Sequence, residues 1–242
     1  MKKRLMTPGP VPVPPEALLA MARPMIHHRT EEFEEILSEV REGLKYVFET
    51  KNDVIPLSSS STGAMESAVV NLLSPSDRAL VIGGGKFGER WAEICEAYRI
   101  RFDFLDVEWG MPVDPEVVRK KLESDPSFKC VYGTLCETST GVVHDIKRLG
   151  EIVKANGETL LVVDAVSGLG AVELKTDDWH VDAVVAGSQK GLMTPPGLAF
   201  ISLGERAWNA VEKARLPRYY FDLRKARESL EENQTPFTCS IS

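Results

Sequence analysis

The chain has 242 residues, 43% hydrophobic and 27% charged, which is enough apolar material for a sizeable core and too much for a disordered chain. Lys and Arg number 29 against 36 Asp and Glu, a net charge of -7, so the chain is poorly suited to holding nucleic acid or an anionic membrane by bulk charge, while a local anion pocket stays possible. No run of about 18 apolar residues occurs, so no membrane span is expected.

The Met-Lys-Lys-Arg start suggests a secretion signal, but prolines at 8, 10, 12, 14 and 15 replace the apolar stretch that such a signal needs. Cys95, Cys130, Cys136 and Cys239 show no C-x-x-C spacing. Neither a zinc site nor a disulfide framework is expected, and a reducing cytoplasm is the default location.

Taken in chain order, residues 7–15 (TPGPVPVPP) can be neither helix nor central strand, because proline lacks the N–H and fixes φ. They predict an extended arm lying on another part of the molecule. A short helix is expected over 16–22. A longer one is expected over 31–48, where Phe33, Ile36, Leu37, Val40, Leu44, Val47 and Phe48 recur at helical spacing. Strands are then predicted at 54–58, 79–82, 102–107, 130–134, 160–164, 183–186 and 198–201. Helices are predicted between and after them at 64–73, 87–98, 115–122, 146–156 and 205–214. Residues 218–242 are polar and close on Phe-Thr-Cys-Ser-Ile-Ser, which reads as the start of a further element. Short, nearly all-apolar strands alternating with amphipathic helices predict an α/β fold, with a mostly parallel sheet covered on both faces. His27 and His28 have no identifiable partner acid and read as structural. Arg119-Lys120-Lys121 reads as a solvated helix face. Cys130 and Cys136 fall on one strand-like stretch and read as buried thiols.

Ligands of such sheets bind beyond the carboxyl ends of the strands, and three strand ends carry chemistry. After the 54–58 strand comes Ser58-Ser-Ser-Ser-Thr-Gly-Ala-Met leading into a helix. Free N–H groups and the helix dipole there suit a phosphate, although a Ser/Thr cap without a ligand reads equally well. Asp164 closes the 160–164 strand and is followed by Ala-Val-Ser-Gly-Leu-Gly; it is catalytic, a ligand partner or a cap. Gly187-Ser-Gln-Lys190 follows the 183–186 strand. Burial lowers an amine's pKa and makes it a nucleophile toward an aldehyde, whereas a lysine that snorkels to water does neither. Together, an anion loop, a carboxylate and a lysine at one sheet edge are what pyridoxal 5′-phosphate needs: a phosphate cradle, a partner for the ring nitrogen and an amine for the imine.

The sequence resembles the class V aminotransferases of the type I pyridoxal-phosphate fold, in the alanine–glyoxylate and serine–pyruvate branch. The resemblance runs through TPGPVPVP, His28-Arg-Thr with Glu32-Phe33, Ser61-Thr-Gly-Ala-Met-Glu, Asn71-Leu-Leu and Gly85-Lys-Phe-Gly-Glu-Arg-Trp. It continues in Glu137-Thr-Ser-Thr-Gly, Val163-Asp-Ala-Val-Ser, Gly187-Ser-Gln-Lys and Thr194-Pro-Pro-Gly-Leu-Ala. It implies a three-layer α/β/α large domain around a mostly parallel, mixed sheet. An extended arm and short helix would occupy 1–22, and the cofactor-binding domain 23–242.

The resemblance also implies roles. Lys190 matches the Schiff-base lysine and Asp164 the partner of the pyridine nitrogen. Ser60, Ser61 and Thr62 match the phosphate loop, with Gln189 a further phosphate contact. Phe87 matches the aromatic that stacks on the ring, with core packing as its plain alternative. Val166 matches the residue on the ring's other face, and Thr138 a hydroxyl near the phenolic oxygen. Thr235, or else Thr238, matches a residue reaching the phosphate of a neighbouring subunit, which implies a homodimer with shared active sites. The implied reaction moves an amino group from a small amino acid of the alanine or serine class to a 2-oxo acid such as glyoxylate or pyruvate.

The chain departs from the pattern at Ser61 (often Gly), Leu135 (often His) and Cys239 (often Pro). It is also expected to lack the small C-terminal domain, which in the family carries the arginine that grips the substrate carboxylate. A remnant that folds or binds the cofactor without turnover is the alternative. A Rossmann-type nucleotide module fits the alternation, with Asp106 as its ribose acid, but Gly83-Gly-Gly-Lys is not G-x-G-x-x-G. A cysteine desulfurase would need a loop cysteine from the C-terminal part.

Overall fold

The structure, a computed structural model, describes residues 5–239. The first four residues of the expected arm and the last three of the expected C-terminal element lie outside them. The predicted extended arm is bent over 7–10, where the Gly9–Pro10 peptide is cis, and only 11–14 run without a bend into α1 (Pro15–Met21), with proline at its first position, where a missing N–H costs nothing. Helix α2 (Glu31–Phe48) has the predicted bounds. Thr30 caps it by accepting from the Phe33 N–H, and three glutamates sit in its first turn against the helix dipole.

The chain then alternates as β1 (Val54–Leu57), α3 (Ser61–Leu72), β2 (Arg78–Ile82), α4 (Lys86–Ala97), β3 (Arg101–Leu105), α5 (Pro115–Ser124) and β4 (Cys130–Thr134). A two-stranded hairpin follows, β5 (Cys136–Glu137) with β6 (Val142–Val143). After it come α6 (Ile146–Ala155), β7 (Leu160–Asp164), β8 (Ala183–Gly187), β9 (Ala199–Leu203), α7 (Glu205–Val211) and α8 (Leu223–Glu231). The hairpin and α8 were not predicted. Four residues of alternation are too few for a period to emerge, and α8 is polar enough to read as loop. The hairpin also corrects the cysteine reading. Cys130 is buried in β4, whereas Cys136 lies on β5 and is only half-buried.

Seven strands form one sheet in the order β1-β9-β8-β7-β4-β2-β3. The run from β8 to β3 is parallel, and β9 is antiparallel to both β8 and β1. It is the mixed, mostly parallel sheet expected from the sequence. The strands β4, β7, β8 and β9 are buried at every position, because helices cover both faces. One face packs against α3, α4, α7 and α8, through residues such as Met65, Trp91, Val211 and Leu223. The other packs against α5 and α6, through Leu122, Leu149 and Val153. The edge strand β3 is half-exposed and holds Asp103 between Arg78 and Lys121; a charged edge resists pairing with another chain.

Helix α3 carries the serine-rich turn, and one side chain ties it to the segment before α8. Asn71 is fully buried; its Nδ2 donates to the carbonyls of Ser67 and Phe221, and its Oδ1 accepts from the Leu223 N–H at 3.1 Å. Truncating it strands two backbone groups of residues 221–223 in the core. Asn71→Ala is therefore expected to cost about 2–4 kcal/mol, read as a lower midpoint with unchanged slope in urea unfolding; a loss below about 1 kcal/mol would show that the two groups find other partners.

Candidate active site

Strand β1 and the five parallel strands all run the same way, so their carboxyl ends share one edge of the sheet and the segments after them converge there. The serine-rich turn comes after β1, Phe87 opens α4 after β2, Asp164 closes β7, and Lys190 lies three residues past β8. This is the crevice in which an open α/β sheet holds a ligand.

Lys190 is 9% exposed, which removes the snorkelling alternative. Its amine forms neither a hydrogen bond nor an ion pair among the described residues, and it lies 6.0 Å from the centre of the Phe87 ring. Burial pulls its pKa below the ordinary lysine value, against the nearby Asp164 charge, which pushes it up. Asp164 is 2% exposed. Burial pushes its pKa up to about 6. The donated Val166 N–H (2.8 Å), Arg90 and Lys190 oppose that rise, and the neighbouring Glu137 charge adds to it. An amine and a carboxylate are thus both kept out of water without pairing to each other by a hydrogen bond.

Phe87 and Val166 belong to neither core cluster, although Val166 is buried. Phe87 is therefore not part of the hydrophobic core. The guanidinium of Arg90 lies on its ring at 4.8 Å. Thr138 shares a short hydrogen bond with Ser167.

The serine-rich turn differs from its expected form. Helix α3 starts at Ser61, three residues earlier than predicted, so Ser61 and Thr62 are its first turn and Ser60 its N-cap. Ser60 makes no side-chain cap, which removes the plain capping alternative. The N–H groups of Ser61 and Thr62 have no hydrogen-bond partner among the described residues. Gln189 reaches Ser61 Oγ with its Nε2 at 3.5 Å, the limit of a hydrogen bond. Gly187 makes that approach possible, since a Cβ there would lie 2.1 Å from Ser61 Oγ.

The predicted residues Lys190, Asp164, Val166, Phe87, Gln189, Ser61 and Thr62 thus share one strand-end edge. Thr235 is buried beside the start of the serine-rich turn: its hydroxyl donates to the Phe237 carbonyl, and it lines a small cavity with Leu57, Ser58 and Tyr220. The helix N-terminus of α4, where a nucleotide module would need its phosphate, is filled by the Glu137 carboxylate. Asp106 lies beyond the end of β3. The filled helix start removes the Rossmann alternative, although Asp106 stands where that reading expected it.

Two contributors were not singled out from the sequence. The first is the proline arm. The Val11 N–H donates to the Gln189 carbonyl at 3.1 Å, and Gly9 packs on Lys190 so closely that a Cβ would meet its Cδ at 2.3 Å. The second is Glu137, whose burial no local pattern signals; its place inside Glu-Thr-Ser-Thr-Gly was the available hint.

Residues 16–222 match the family described as aminotransferase class-V. The soluble hydrogenase 42 kDa subunit of Anabaena cylindrica is 47% identical over 243 residues, 100% of this chain and 63% of that protein. The L-aspartate–glyoxylate aminotransferase of Paracoccus denitrificans is 37% identical over 96% of this chain and 59% of its own length. The solved alanine–glyoxylate aminotransferase of a Nostoc species superposes with a TM-score of 0.94 at 30% identity, over 100% of this chain and 65% of that one. The chain thus spans less than two thirds of the length of these relatives. A match over 16–222, joined to the shared fold and the strand-end site, establishes that this chain belongs to the class-V aminotransferase family.

Proposed function

We propose that the chain is the cofactor-holding part of a pyridoxal-phosphate-dependent aminotransferase. It would move an amino group from a small amino acid of the alanine or serine class to a 2-oxo acid such as glyoxylate or pyruvate. The observation that carries the reading is the buried, unpaired amine of Lys190 at the same sheet edge as the buried carboxylate of Asp164. The family uses this cofactor in general, and the Paracoccus and Nostoc relatives are named for glyoxylate transamination.

The residues fit the group. Ser61 and Thr62 offer two free N–H donors at a helix start, which suits a phosphate dianion, and Ser60 and Gln189 stand beside them. Asp164 suits a protonated ring nitrogen. That cation would supply the charge its burial lacks and draw its pKa back down. Phe87, outside both core clusters, and the buried Val166 supply apolar walls for the two faces of a ring, the first of them flat. Thr138 offers a hydroxyl at the rim. Bound pyridoxal phosphate supplies an aldehyde and an electron-withdrawing ring. Lys190, with its proton affinity reduced by burial, would hold the cofactor through its amine and would accept and return the proton at the substrate Cα. The proline arm against Lys190 excludes water from that amine.

A homodimer and a cross-subunit role for Thr235 are part of the proposal. The apolar side chains Leu18, Leu19, Ile36 and Val40 on α1 and α2 are exposed and suit cover by a second copy. The span of less than two thirds of the relatives' length favours a second reading for the 242-residue chain by itself, in which it binds the cofactor without turnover. Among the described residues no helix is long and apolar enough to cross a membrane.

Titration with pyridoxal phosphate is expected to raise a visible absorption band that Lys190→Ala abolishes; no band, or one that survives the substitution, overturns the reading. Alanine or serine should bleach the band, and glyoxylate or pyruvate should restore it. Bleaching by aspartate alone would move the donor class, and a band that no amino acid bleaches would select the binding-only reading.

The Asp164 environment predicts a pH-dependent exchange of stability for binding. Its folded pKa of about 6 lies above the ordinary value of 3.8. The folded cofactor-free state therefore holds the proton more tightly, and the resulting stability is complete below the ordinary value and lost as pH rises through 6. Above that, Asp164→Asn removes a buried charge. The variant should be more stable than the native protein at pH 8 by roughly 2–3 kcal/mol, the gap should shrink to about half by pH 5 and close near the ordinary value, and cofactor affinity should fall. Thermal melts of the cofactor-free proteins across that range test it; a variant less stable at pH 8 refutes it.

A further inference from the structure

The first turn of α4 is capped from a distance. Its N-cap is Gly85, which has no side chain to offer. The Phe87 and Gly88 N–H groups instead both donate, at 3.0 Å, to Oε2 of Glu137, fifty residues away in sequence. The other carboxylate oxygen, Oε1, accepts from the Ser139 N–H at 3.1 Å and the Ser139 hydroxyl at 2.7 Å. The Ser139 hydroxyl oxygen in turn accepts from the Lys86 N–H. Three successive amides of the turn are therefore held by the hairpin segment, through a carboxylate that is 1% exposed. The space is specific: a Cβ on Gly85 would lie 2.4 Å from Glu137 Cγ and Cδ. A local capping side chain and this carboxylate cannot coexist.

The residue held most directly is Phe87. It sits outside the two core clusters, with Arg90 on its ring, and its ring centre is 6.0 Å from Lys190 Nζ. Resting on the cofactor reading, we propose that Glu137 is a positioning residue. By clamping the backbone of Phe87 to the β5–β6 hairpin, it fixes the plane on which the ring bound to Lys190 stacks. It also decides where the phosphate goes. Helices α3 and α4 both start at this edge, and the carboxylate closes the α4 start to anions, leaving the open N–H groups of α3 as the cradle. The hairpin thus carries Thr138 and the clamp on the Phe87 wall in one rigid unit.

Glu137→Gln keeps the shape but turns one acceptor into a donor facing N–H groups. In the cofactor-free protein, hydrogen exchange at the Phe87 and Gly88 amides should quicken at least about tenfold, the loss of one such hydrogen bond. Cofactor affinity should fall about three- to tenfold, the worth of an aromatic stack, with a displaced visible band. Phe87→Ala should cost a similar factor, and the double variant no more than Phe87→Ala alone, because both act through the same ring. If Glu137→Gln binds like the native protein, or if its penalty multiplies in full with that of Phe87→Ala, the positioning role is overturned. Gly85→Ala displaces the same carboxylate from the other side and carries the same cycle if Glu137→Gln does not fold. A native protein that binds no pyridoxal phosphate would instead remove the cofactor reading, and this role with it.

Discussion

Keeping an unpaired lysine and a carboxylate out of water at the mouth of a parallel sheet is the constraint on which the rest of the molecule depends. Each costs free energy when charged and dry. Lys190 loses proton affinity and Asp164 gains it. Neither is relieved by a hydrogen bond to the other. The surroundings share the work. Val166 donates its N–H to Asp164, and the arm at Gly9 lies on the Lys190 side chain. A ligand with an aldehyde, a basic ring nitrogen and a phosphate would relieve both groups and occupy the open amides of α3 at once.

The geometry arises from topology. Parallel strands deliver their carboxyl ends to one edge, so residues between 57 and 190 meet there. Helices α3 and α4, which both begin there, have opposite fates. The start of α4 is filled by a carboxylate of the chain itself, and that of α3 is left open. An unfilled helix start beside a filled one is a division of labour between rigid packing and ligand binding.

Part of this was legible in one dimension. The bounds of α2, β4 and β7 match those predicted because each is a long periodic run or an unbroken apolar one. Lys190 and Asp164 were legible because each ends such a run. The start of α3 was placed three residues late, since Ser-Thr-Gly reads as loop when no apolar residue marks the period. The hairpin was missed for its shortness, and α8 because Leu223, Ala226 and Leu230 are its buried residues among charges. The capping role of Glu137 could not be read, because its partners lie fifty residues away and are backbone amides.

The sequence by itself determined the layered α/β class, the order of its elements, and the residue types at the strand ends. These depend on local hydrophobic period and on chain chemistry, which a linear string contains. Tertiary structure alone decided that Lys190 is dry and unpaired, that α3 and not α4 is the open helix start, that the arm lies on the lysine, and that Thr235 shares a cavity with Ser58. Each of these is a question of which distant groups share a few ångströms, and burial and hydrogen-bond satisfaction exist only once the chain has closed on itself.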